Sequence, residues 1–332
     1  MDNKTTHQDS QVRSNGRMSG VRNIDIRLIL GRYGVLIGYI IFVIVSSILS
    51  PHFLKPVNIL NIIRQVSIFG ILSLGQTFVI LIGGIDLSVG AVLALVVVLS
   101  GGLLPQLGIV PTILFAMLVG TVLGVVNGLG VTKGNVQPFV MTLGMQGIAR
   151  GMAYIYTGGM PIPILDQQFL FLGNGYIFNT IPLPAVLFTS LVVICALILR
   201  YTAFGRYTYA IGSNAEAARL SGINVELNKI AVYGLCGFMS AVAGVLYASQ
   251  LAVAPPIAGE GYELDSIAAV VVGGADMFGG EGGIFGTFLG AVIIGSLSNI
   301  LNLTGVSSFV QKLAKGALII AAVIIKARGR KQ

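Results

Sequence analysis

Few residues in this chain could do chemistry, and the first is an aspartate where none is expected. In "VILIGGIDLSVGAVLAL", Val79 to Leu95, Asp86 interrupts a run otherwise apolar enough to lie in a membrane. Gly83 and Gly84 can end one helix, because glycine takes the left-handed cap conformation without steric cost. Asp86 then falls where an N-cap belongs, accepting backbone N–H groups at the start of the next helix, with Ser88 in its first turn. A tight turn accounts for the stretch without a ligand. An ionisable group near membrane depth is nonetheless costly and points to function, so Asp86 and Ser88 are also candidates for one end of a polar path.

A second acidic stretch, "GEGYELDSIAAVVVGG" from Gly259, packs Glu260, Glu263 and Asp265 into six residues just before an apolar segment, with Ser266 following. One carboxylate can cap the helix; the others can bind a hydroxyl-rich ligand at a membrane mouth or face a partner. Asp265 and Ser266 join the candidate path. Arg150 lies midway along an apolar segment between Gly147 and Gly151. A buried arginine needs a carboxylate, carbonyl or water partner, so structural pairing and solute contact both remain open for it. Lys312 and Lys315 open the last apolar segment, where snorkelling suffices.

The elements that hold these residues are membrane helices. The chain is 55% hydrophobic and 10% charged, against about 25% charged in soluble domains. Forty-five glycines suit close helix contacts, and the ladders Gly120–Gly124–Gly128 and Gly282–Gly286–Gly290 read as packing seams. Ten apolar segments are predicted, at 33–50, 60–83, 87–105, 110–131, 138–158, 182–200, 229–250, 264–279, 284–302 and 308–326, the eighth short and glycine-rich. A polar, basic tail (1–32) precedes the membrane domain (33–327), and a basic end (328–332) follows it. No secretory signal peptide is evident.

The net charge of +8 fits the positive-inside rule better than nucleic acid. Lys and Arg concentrate in the tail, in the 201–228 loop and at the C-terminus. With ten spans these regions share one side, so both termini are expected to be cytoplasmic. The chain also repeats. "VQPFVMTL" from Val136 and "VSSFVQKL" from Val306 share a pattern at an offset of 170, which Gly120 and Gly290 keep; "IDLSVGAV" from Ile85 and "ELDSIAAV" from Glu263 pair more weakly. Five spans per copy force the second copy upside down. The expected fold is therefore an all-α integral membrane protein of about ten transmembrane helices in two inverted five-helix repeats.

The 201–228 loop holds "SNAEAARLSG", read as a capping box from Ser213 to Glu216 closed by Gly222. Two helical turns are too short to be stable alone in water, so something should pack on them. No phosphate-binding G-x-x-x-x-G-K-[ST] loop occurs, which argues against nucleotide hydrolysis by this chain. The only histidines are His7 and His52, and Cys195 and Cys236 lie in apolar segments. These offer neither a metal cluster nor a nucleophile–histidine pair, so no cofactor and no enzymatic activity are expected.

"NILNIIRQVSIFGILSLGQTFVILIGGIDLSVGAVLAL", "TAFGRYTYAIGSNAEAARLSGINV" and "GYELDSIAAVVVGGADMFGGEGGIFGTFLGA" closely resemble the permease subunit of ribose-type bacterial ATP-binding-cassette (ABC) sugar importers, from about Pro51 to Ala327. The resemblance implies a homodimer in the inner membrane and a periplasmic or lipid-anchored sugar-binding protein. It also implies a cytoplasmic ATPase with two fused nucleotide-binding halves. It makes the capped loop the ATPase-coupling element, carried by Gly212, Asn214, Glu216, Ala217, Arg219, Leu220 and Gly222. The chain departs from ribose permeases at "GGADMFGGEGG", which leaves the solute open among a pentose, a hexose, an autoinducer sugar, a polyol and a branched-chain amino acid. The contrasting reading is an ion-coupled secondary transporter with Asp86, Arg150 and Asp265 as its relay.

Overall fold

Long runs of Leu, Ile, Val and Ala broken by paired glycines produce helices that stop abruptly, and the architecture follows from where they stop. A computed structural model describes residues 26–307, 309–317 and 320. Most of the basic tail, the 328–332 end and much of the tenth expected segment lie outside the described residues.

The first half contains α1 (Ile26–Leu49), α2 (Pro56–Leu81), α3 (Val89–Leu107), α4 (Ile109–Thr132) and α5 (Pro138–Thr157). A connecting region follows: β1 (Ile162–Pro163), α6 (Gln167–Asn174), β2 (Tyr176–Ile177) and β3 (Ile181–Pro182). The second half holds α7 (Leu183–Tyr201), α8 (Ala203–Ser213), α9 (Ala215–Leu220), α10 (Val225–Leu251), β4 (Val253–Ala254), α11 (Tyr262–Val272) and α12 (Ile284–Leu303). Residues 309–317 are again helical. β1 pairs antiparallel with β4, and β2 with β3.

Among the described residues, six helices are long and apolar enough to span a membrane: α2, α3, α4, α7, α10 and α12. The eighth expected segment is an 11-residue helix rather than a span over 264–279. α11 ends because Gly274 turns left-handed (φ +95°), and the N–H groups of Gly274 and Ala275 fold back onto the carbonyls of Val271 and Val270. α5 runs 20 residues but carries Gln146, Arg150 and three glycines, which lower its apolarity.

The core sits around α2 and α10. α10 packs along α2, α3 and α4, while α2 packs along α7, α11 and α12. The first glycine ladder is such a seam. A Cβ at Gly120 would lie 2.6 Å from the Gly237 carbonyl, one at Gly128 would lie 2.6 Å from the Ile230 Cα, and one at Gly124 would run into the Tyr233 carbonyl. In the second ladder, Gly286 and Gly290 lie equally tight against the backbone of Gly273 and Ala269. Cys195 and Cys236 are free and buried in this core.

Candidate functional site: a polar junction and an exposed helical tip

The end of α2 forms as its glycines predict. Gly83 is left-handed (φ +74°); its N–H donates to the Ile80 carbonyl, and the Gly84 N–H donates to the Val79 carbonyl, both at 2.9 Å. The following aspartate is displaced from its expected place. Ser88, not Asp86, occupies the N-cap position of α3. Asp86 instead closes an Asx-turn two residues earlier: its Oδ1 accepts the Ser88 N–H at 2.8 Å and the Ser88 hydroxyl at 2.6 Å. The reason is local, since an aspartate carboxylate serves an Asx-turn as readily as a cap.

Asp86 is 1% exposed. Asn127 of α4 donates to the Ser88 Oγ at 2.9 Å, and Thr142 of α5 reaches the Ile85 carbonyl at 3.3 Å. With its amide turned to the orientation its neighbours require, Gln76 brackets the Asp86 backbone, its nitrogen 3.2 Å from the Asp86 carbonyl and its oxygen 3.1 Å from the Asp86 nitrogen. The α2–α3 turn is thus fastened to α4 through Ser88, which the carboxylate holds in place, and to α5 through the Ile85 carbonyl. Replacing Asp86 with Asn preserves an acceptor for both Ser88 donors, so thermal unfolding in detergent is expected to shift by less than about 1 kcal/mol. Asp86→Leu strands the buried Ser88 N–H and should cost about 1–3 kcal/mol in the same measurement.

The starts of α3 and α11 abut. A Cβ on Gly90, in the first turn of α3, would lie 2.6 Å from the Gly259 carbonyl and would strike the Glu263 carboxylate. Glu263 is 9% exposed. Its Oε1 accepts the Gly261 N–H at 3.3 Å and the Gln146 amide at 3.5 Å, whereas its Oε2 has no hydrogen-bond partner. Gly261, without a side-chain cap, holds the N-cap position of α11, so Glu263 reaches back to the N-cap N–H as an acidic first-turn residue can. This carboxylate is enclosed between helix starts rather than open at a mouth.

Gln146 and Arg150 stand one turn apart on α5, roughly 12 and 18 Å from its start at 1.5 Å per residue, near mid-length. The Arg150 guanidinium donates to the carbonyls of Pro256 and Ala258, both at 2.8 Å, and lies within electrostatic reach of Glu263 and Glu260. Structural pairing is therefore satisfied: Arg150 ties α5 to the loop before α11. Ser266 is buried, its hydroxyl on the Glu263 carbonyl at 2.8 Å. Asp265 turns elsewhere, to Lys315 at 2.8 Å, and Glu260 pairs with Lys312 at 3.3 Å. Both lysines have carboxylate partners beyond any snorkelling. Arg150, Ser266 and the Ser88 end of α3 converge on one junction, and Asp265 leaves it. Sequence reasoning did not single out Gln146; its place four residues before Arg150 was the available signal.

The second region is α8–α9. The cap of α9 is Asn214 rather than Ser213: its Oδ1 accepts the N–H groups of Glu216 and Ala217 at 3.0 and 2.9 Å. Ser213 is instead the last residue of α8, because helix continues one residue further than the capping-box reading assumed. Gly222 is left-handed (φ +83°), and the Gly222 and Ile223 N–H groups bond back to Arg219 and Ala218, closing the helix as expected. Ala218 faces inward; Glu216, Ala217, Arg219 and Leu220 face out, Leu220 at 82% exposure.

Gly212 has a different place. A Cβ there would run into the Leu81 carbonyl and sit 2.5 Å from the Gly280 nitrogen. The Gly280 N–H donates to that same Leu81 carbonyl at 2.9 Å, and Tyr209 donates to the Gly282 carbonyl at 2.8 Å. The α8–α9 tip is thus fastened to the end of α2 and to the loop that leads into α12.

The family model described as "branched-chain amino acid transport system / permease component" matches residues 58–323. A ribose import permease protein of Bacillus subtilis is 48% identical over 303 residues, covering 90% of this chain and 93% of its own. A ribose import permease protein of Escherichia coli K12 is 41% identical over 295 residues, 87% and 92% of the two chains. An L-arabinose transport system permease protein of the same strain is 34% identical over 323 residues, 95% and 96% of the two. No solved structure matches the chain.

Proposed function

The chain belongs to this permease family and is the membrane-spanning subunit of an ABC sugar importer, and we propose that its cargo is a monosaccharide, a ribose-like pentose first. The relatives that cover nearly its whole length are named for ribose and arabinose, which favours a pentose over the amino acids of the broad family description. ATP hydrolysis falls to a separate cytoplasmic ATPase, and a binding protein delivers the sugar on the other face.

The observation that carries the ATPase assignment is the α9 tip: a capped six-residue helix whose largest apolar side chain is exposed, rooted by Gly212 on the end of α2. A partner seated on Leu220 and Arg219 could move the α2 end and the loop before α12 together. The basic face bearing Arg200, Arg206 and Arg219 is assigned to the cytoplasm of a bacterial inner membrane by the positive-inside rule, with both termini on the same side. The inverted five-helix repeat is supported by reciprocal packing: α2 lies on α11 and α12 as α10 lies on α3 and α4. A second copy of the chain is supported by α5, where nothing packs within 4 Å of the space a Cβ would take on Gly144, Gly147 or Gly151.

The solute path is assigned to the junction where α3 and α11 begin. Interrupted helices that point their N-terminal ends at one another near mid-membrane are the arrangement by which transporters build polar sites. The unpartnered Glu263 Oε2 suits a sugar hydroxyl as donor, with Gln146 beside it and Arg150 holding the loop. Asp86 and Ser88 support the start of α3 from behind, and Ser266 orients the Glu263 backbone.

Glu263→Gln keeps the shape and replaces an acceptor oxygen by an amide. ATP-driven uptake is expected to fall at least about tenfold, the worth of one hydrogen bond to a charged group, with ATPase assembly unaltered. Unchanged uptake would remove Glu263 from the path. The reading as a whole is tested by gentle purification of the tagged chain from its membrane. Recovery of a tandem ATPase supports it; recovery of the chain alone, still moving solute without ATP, would overturn it.

A further inference from the structure

Between the end of α7, α8 and the start of α12 lies a cavity of about 490 Å³ that the transport reading does not use. Arg200, from the last turn of α7, and Arg206, from α8, both line it, together with Tyr209. Both also touch Tyr201: Arg200 lies over its ring at 5.4 Å, and Arg206 donates to its carbonyl at 3.5 Å. Among the described residues, the ion pairs join Lys312 to Glu260 and Lys315 to Asp265, so neither guanidinium has a carboxylate partner.

A third source of positive potential lines the same space. α12 is a 20-residue helix whose N-cap, Gly283, offers no side chain to its first N–H groups, and Gly283 and Phe285 both face the cavity. The remaining wall is hydrocarbon. Leu199 lies at its back, and Phe285 is 71% exposed on the outer surface of a membrane helix. Two forked cations and an uncapped helix start match a phosphate group, and the adjoining apolar wall matches acyl chains.

We propose that this cavity binds the phosphate headgroup of an anionic phospholipid from the inner leaflet, clamped by Arg200, Arg206 and the start of α12. The basic face meets that leaflet in the orientation proposed above, whichever solute is carried. A lipid held there bridges α7, α8 and α12, which are the elements next to the coupling tip.

The test uses the full chain in detergent, delipidated and then titrated with phosphatidylglycerol or phosphatidylcholine and followed by native mass spectrometry. One phosphatidylglycerol should bind with clear preference over phosphatidylcholine. R200A/R206A should weaken that binding about thirtyfold, at the affinity typical of two basic residues near an anionic surface. R200K/R206K, which keeps the charge and loses the fork, should fall between. An unchanged melting temperature establishes that the variants fold, and the lysine pair remains informative if the alanine pair does not. Equal retention of phosphatidylglycerol by all forms would overturn the proposal. Displacement of the lipid by millimolar inorganic phosphate would also overturn it, assigning the site to free phosphate. Loss of ATPase binding with lipid retention intact would likewise sink it, by giving the arginines to the partner. Lipid retention is read without ATP or solute, so its outcome is independent of the importer reading.

Discussion

Arg219→Glu combined with Leu220→Glu is expected to abolish ATP-driven uptake while the chain still reaches the membrane. Both residues sit on the exposed side of α9, Leu220 at 82% exposure, and the inward side of that helix rests on buried Ala218. The fold therefore loses little. A docking partner loses an apolar anchor and meets reversed charge, so ATPase affinity should drop about a hundredfold or more. Co-purification of the ATPase with wild-type and variant chains measures this directly. A variant that retains its ATPase and its uptake would show that α9 is not the docking element.

Gly212→Val should give a different phenotype from the same loop. The glycine does not face outward; its missing side chain lets the end of α8 lie on the Leu81 carbonyl and the Gly280 nitrogen. A valine must push these apart, and overpacking of this kind costs about 1–3 kcal/mol. The α9 surface is untouched, so the ATPase should still bind and hydrolyse ATP, while uptake falls by about tenfold or more because the tip no longer moves the α2 end in register. Gly212→Ala should be intermediate. Parallel loss of ATPase binding and uptake would assign Gly212 to the docking face instead.

The contrast between these residues shows what the sequence could reveal. Gly83 and Gly222 were legible because a left-handed helix end is a local demand that glycine meets, and both take positive φ. The caps themselves fall two residues and one residue from their expected places, for the same local reason. Asp86 and Ser88, two residues apart, and the adjacent pair Ser213 and Asn214 can each accept backbone N–H groups. Which one does so is decided by where the preceding element stops, and α8 runs to Ser213 because its own last turn packs under Gly280. The glycine ladders were readable as seams; their partners in α10 and α11 were not.

The junction was the least legible part. Gln146 and Glu263 are 117 residues apart, and Lys315 and Asp265 are 50 apart. Both carboxylates are buried, and no local pattern distinguishes the one that meets Gln146 from the one that pairs with a lysine. The sequence made Asp265 a path candidate; in the fold Asp265 pairs with Lys315, and Glu263 is the carboxylate that lies beside Gln146. The short eighth segment was anticipated from its glycines, but its end at Val272 depends on the close approach of Gly273 to Gly286, which belongs to the packing of α11 on α12.

The most direct test of the account is solute movement by the purified chain in sealed vesicles, with its ATPase and sugar-binding protein added or withheld. Labelled ribose should accumulate only when both partners and ATP are present, and an ion gradient alone should drive nothing. Uptake by the chain alone, driven by a proton or sodium gradient, would contradict the account and make the intramembrane charges the mechanism.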